Sequence, residues 1–170
     1  MSRRALPLLF LLQAAIPVAA RAQEGHTHDP SHQHGRPATD SAFAEVQARG
    51  KVAMGVDQYT STHRFDALPD GGRIELQRDP ADTAGVRTIR AHLQEIAQAF
   101  TAGNFNTPGF VHATEVPGVR VMTRKRAAIR YAFRPLPGGG EVRIVTIDPE
   151  AVKAVHDFLA FQRSDHRVPE

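Results

Sequence analysis

The chain has 170 residues, 41% of them hydrophobic, with 21 basic side chains, 18 acidic ones and no cysteine. The positive excess is confined to residues 1–22, which carry Arg3, Arg4 and Arg21 and no acid; the remainder is balanced and leaves no basic footprint for nucleic acid. The lack of cysteine excludes a disulfide scaffold, a thiol nucleophile and a lipid-modified cysteine, so stability must come from apolar burial.

Arg3 and Arg4 precede a mostly apolar run from Ala5 to Ala20, and Ala20-Arg21-Ala22 reads as a small-x-small cleavage site. This pattern predicts an export signal over 1–22 and a periplasmic or extracellular location after cleavage. Pro7, Gln13 and Pro17 interrupt the run, which is shorter than the roughly 20 apolar residues of a bilayer span. No stable membrane span is therefore expected once the signal is removed. Ser2-Arg3-Arg4-Ala5-Leu6 partly matches a twin-arginine signal, so the export route stays open.

Residues 23–40 have no apolar periodicity and are read as a flexible tail. They place His26, His28, His32 and His34 as H-x-H-x3-H-x-H, a set of imidazoles able to wrap a Zn or Cu(II) ion when neutral. The alternative is a solvated spacer. A single domain is expected over 41–170, opening with a helix near 41–53.

Phe65-Asp66-Ala67-Leu68-Pro69-Asp70-Gly71-Gly72 then aligns with Phe133-Arg134-Pro135-Leu136-Pro137-Gly138-Gly139-Gly140, five of the eight positions being identical. Ile74 and Leu76 match Val142 and Ile144, and Val86, Ile89 and Leu93 match Val152, Val155 and Leu159. Each stretch reads as a strand, a Gly-Gly turn, a returning strand and a helix, which suggests internal duplication. The first helix is expected after Asp79-Pro80, with its stripe continuing through Ile96 and Phe100. The second follows Asp148-Pro149, runs through Gln162 and ends near His166. The predicted fold is α+β: a duplicated β-hairpin–helix unit giving a four-stranded antiparallel sheet with helices on one face. Residues 103–118 read as a long connector carrying Phe105, Phe110 and Val111, with a short helix near 119–127 after it.

Five histidines fall in this domain. His63 shares the inward face of its strand with Phe65, and His92 and His156 flank the helix stripes, so these three are expected to converge. His112, in the connector, is the next candidate, and His166 the weakest. Together with the tail they form the candidate metal set: His26, His28, His32, His34, His63, His92, His112 and His156. Ligand spacing of the H-E-x-x-H kind is absent, and hydrogen-bonded core histidines are the competing reading. Arg120, Arg124, Lys125, Arg126, Arg130 and Arg134 form an acid-free run that suits an anion or acidic partner, or a solvated face. No G-x-S-x-G or phosphate-binding loop occurs, so no catalytic residue is assigned.

The segments MGVDQYTSTHRF (54–65), GGRIEL, IRAHLQEIA, GNFNTPGFVH, PGVRVM and FLAFQRSDH resemble a group of small exported bacterial proteins, over residues 54–166. Some similar chains carry the label aspartate carbamoyltransferase. That chemistry belongs to longer chains of parallel-sheet domains with a Ser-Thr-Arg-Thr phosphate loop; the nearest string here, Ser61-Thr62-His63-Arg64, reads as strand. The expected function is thus a non-catalytic binding or accessory protein, with divalent-metal handling its most concrete form. The alternatives are a small enzyme using a pocket histidine as acid or base, and a module that docks a partner through the basic run.

Overall fold

The sheet is built from two hairpins at a constant offset. In the computed structural model, which describes residues 38–168, β1 (Thr62–Leu68) pairs with β2 (Gly71–Gln77), and β3 (Arg130–Leu136) with β4 (Gly139–Val145). All four strands are antiparallel in the order β1-β2-β4-β3. Thr62 and Arg130, like Gly71 and Gly139, are 68 residues apart, so the hairpins correspond position for position. Where β2 meets β4, the corresponding residues Ile74 and Val142 face each other. The α+β architecture is therefore as expected. Descent of both halves from one unit remains a proposal that rests on their alignment.

The glycine pairs do not make the turns. Pro69-Asp70 and Pro137-Gly138 do, and Gly71-Gly72 and Gly139-Gly140 open the returning strands. Close approach explains the placement. A Cβ on Gly72 would lie 2.2 Å from Leu159 Cδ1, and one on Gly139 would lie 2.2 Å from the Leu76 carbonyl oxygen. That oxygen belongs to the backbone and cannot swing aside. Gly139→Ala is expected to cost about 1–3 kcal/mol, in the range of overpacking, read as a lower urea midpoint with an unchanged slope.

Among the described residues five α-helices accompany the sheet: α1 (Ala38–Met54), α2 (Thr83–Thr101), α3 (Asn106–His112), α4 (Val119–Arg124) and α5 (Pro149–Asp165). Asp148 caps α5 as its sequence suggests, accepting from the backbone N–H groups of Glu150 and Ala151. On α2 the cap is Asp82, which accepts from Gly85 N–H, and Asp79 serves a preceding turn through Ala81 N–H. The helix starts a turn later than the Asp79-Pro80 signal implies. Helix α1 starts at Ala38, so the last residues of the expected tail are helical. The export signal and His26, His28, His32 and His34 lie outside the described residues. No described helix is long and apolar enough to cross a membrane.

Each helix closes the other hairpin. α2 packs mainly over β3 and β4, and α5 over β1 and β2, so the halves are interlocked rather than side by side. Phe100, Phe158, Ile89, Leu93, Val142, Ile144, Val155 and Leu159 are fully buried between helices and sheet. The opposite face carries charge. Glu75 and Glu141 are direct cross-strand partners, and one Arg73 guanidinium nitrogen sits 3.7 Å from a carboxylate oxygen of each. Like charges placed opposite destabilise a sheet, and the bridging arginine offsets that repulsion.

Candidate ligand cavity

A cavity of about 80 Å³ opens between α1, α2, α3, α5 and the β1–β2 hairpin. Its wall is mostly apolar, with Met54, Phe65, Leu76, Leu93, Phe100, Val111 and Phe158 among the lining residues. Four histidines join them: His63 from β1, His92 from α2, His112 at the end of α3 and His166 at the end of α5.

His63 and His92 come together as their strand and helix positions suggest. His156 does not join them. Its Nε2 donates instead to the Leu68 carbonyl, 2.8 Å away at the end of β1. The buried stripe of α5 runs through Ala151, Val155, Phe158 and Gln162, and three-four spacing carries it on to His166. His156 lies one residue off that stripe, about 100° around the helix. The continuation to His166 was the signal to follow.

His112 was found only in part by sequence, because the connector around it is helical. α3 is seven residues long, contains Pro108 and Gly109, and has no side-chain cap, so it lacks the length for periodicity to show. Of the two phenylalanines the connector carries, Phe105 is buried and Phe110 is half exposed.

The imidazoles are oriented by specific partners. His63 bonds to the backbone of Ser61 and His92 to that of Ala53. His112 Nδ1 meets an Asp165 carboxylate oxygen, and its Nε2 lies 3.0 Å from the Gln162 side-chain amide. Whichever way the Gln162 amide is turned, one end faces His112 and the other is buried without a partner. His166 Nδ1 is likewise buried with no hydrogen-bond partner. Orphaned polar atoms of this kind each cost about 1–3 kcal/mol, so their convergence needs a reason.

Burial sets the protonation of this wall. Desolvation pushes His63 down to about 4, aided by the neighbouring His92, and outweighs the bond to Ser61. It pushes His166 down to about 3, with His63 and His112 adding like-charge opposition. His92 is lowered mainly by desolvation, against the pull of Glu95. At neutral pH these three rings are uncharged.

Left-handed backbone ends both helices beside the same wall. Among the described residues, Ala113 and Arg167 are the non-glycine positions with positive φ, both at 52°. They directly follow His112 and His166. Ala113 caps α3, and after α5 the N–H groups of Arg167 and Val168 donate to the carbonyls of Ser164 and Arg163, so the left-handed residue closes the helix.

The other candidates are resolved differently. Among the described residues no group of three or more His, Asp or Glu side chains is arranged to hold a metal ion. The basic run is largely paired within the chain. Arg120 meets Glu115, Arg124 meets Glu150, Lys125 meets both Asp148 and Glu150, and Arg134 lies 3.7 Å from Glu141.

No family model matches this chain, and neither a curated protein nor a solved structure does.

Proposed function

We propose that the folded part is a non-catalytic binding module, exported with its tail, that holds a small uncharged molecule in the histidine-lined cavity. One observation carries this reading: a mostly apolar cavity is lined by uncharged imidazoles and by three residues with an orphaned polar atom, Gln58, Gln162 and His166. A charged guest would lose hydration in a mostly apolar cavity lined by no carboxylate, lysine or arginine. An uncharged guest with one polar edge satisfies the orphans and keeps the apolar contacts. The acid–base alternative is weaker, because His112 Nε2 is already engaged by Gln162 and desolvation holds His63, His92 and His166 below the range in which a ring exchanges protons near neutral pH.

The test is a panel of uncharged single-ring compounds and their charged counterparts, screened by ligand-observed NMR at pH 7.5. Uncharged members should give saturation transfer, and Thr107→Trp, a bulky replacement at a partly exposed lining position, should remove it while keeping the melting temperature. Silence from every uncharged compound at millimolar concentration would overturn the reading.

Metal handling is assigned to the tail in this proposal. Zn or Cu(II) would be held by His26, His28, His32 and His34, since the domain histidines lack a common focus. Chain 23–170 is expected to bind Zn at micromolar affinity or tighter, a free energy of about −8 kcal/mol, and chain 38–170 is not. Equal titration of both chains would return the metal to the domain.

A further inference from the structure

We infer that the cavity's guest is a planar heteroaromatic ring of five-membered size, carrying both a hydrogen-bond donor and an acceptor. This inference rests on the binding reading above. Size comes first: about 80 Å³ is roughly half the ~150 Å³ of an apolar cavity that admits benzene, so even a five-membered ring reaches into the cavity's open side and a larger guest would protrude further.

Shape comes from the rings on the wall. His63 and His166 lie 5.4 Å apart between centroids and 11° from parallel. Phe65 lies 5.5 Å from His166 and 26° from parallel. Rings from β1 and the end of α5 thus share nearly one orientation, and a flat guest can extend the stack where a puckered one cannot. Polarity comes from the orphans on the lining. His166 Nδ1, Gln58 Oε1 and the free end of the Gln162 amide have no partner, so the wall asks for both a donor and an acceptor, and a ring bearing N–H beside a bare nitrogen offers one of each.

Pyrazole and cyclopentanol separate these elements, being equal in ring size but differing in planarity. Each is titrated calorimetrically into chain 23–170 at pH 7.5 with a chelator present, so that tail metal plays no part. Pyrazole is expected to bind with submillimolar Kd, at least tenfold tighter than cyclopentanol. His166→Leu should weaken pyrazole by tenfold or more and leave cyclopentanol within about twofold, and His166→Gln provides the same comparison should the leucine variant fold poorly. Equal binding of the two compounds overturns the heteroaromatic inference and leaves the binding module standing. Binding of neither overturns both.

Discussion

Chains 38–118 and 119–168, made separately, are expected to show no cooperative unfolding transition, and mixing them should restore one. The reason is the crossed docking. Without the second half, α2 loses the β3–β4 surface that buries Ile89, Leu93 and Phe100. The first hairpin loses Val155 and Leu159, the side chains that sit over Gly72. Each large apolar side chain returned to water forfeits about 1.5–3 kcal/mol, so a handful exceeds the whole stability of an ordinary domain, about 5–15 kcal/mol. A two-stranded hairpin left with one unpartnered helix is marginal at best. Circular dichroism during a urea titration reads the outcome; a sigmoidal transition in either half alone would contradict the interlock.

Lowering the pH from 7.5 to 5.0 should remove roughly 4 kcal/mol of stability, about 2 kcal/mol from each of His63 and His166. Both have folded values near 4 and 3, well below the ordinary value of 6.5. The unfolded chain therefore takes up protons at a pH where the folded one does not. Stability is fully present above pH 6.5, falls as pH drops through that value, and levels off only near 4 for His63 and 3 for His166. His92 acts in the same direction. The surface carboxylates held low by their partners, such as Asp148 beside Lys125, add to the loss only below the normal carboxylate range. Urea midpoints at the two pH values measure the effect, and His166→Leu should cut it by about half. A midpoint that does not move would show that these rings are solvated.

Much of this fold could be read from the chain because hairpins and capped helices are local. Phe65 and Ile74 on one hairpin, and Phe133 and Val142 on the other, fell at their expected strand positions, and Asp148-Pro149 opened α5. What lay beyond reach was longer-range. Gly-Gly is good turn chemistry, but whether Gly72 turns or accommodates Leu159 depends on a helix side chain 87 residues further on (159 − 72). The crossing of α2 and α5 follows from the pairing of β2 with β4, which no local pattern encodes. The cavity was half visible. His63 and His92 were found from strand and helix periodicity, His156 was placed there in error, and His166 was undervalued for lying near the end of the chain.

The edges of the sheet bear on how the protein behaves in a crowd. β1 and β3 are the outer strands, where vacant backbone groups invite another extended chain to add on. On β1, the carbonyls of Phe65 and Leu68 already accept from Arg163 and His156 of α5. On β3, exposed Pro135 has no N–H to offer, and exposed Arg130 and Arg134 flank the strand with like charge. Neither margin is a ready template for strand addition, which would keep newly folded copies from zipping together at high concentration.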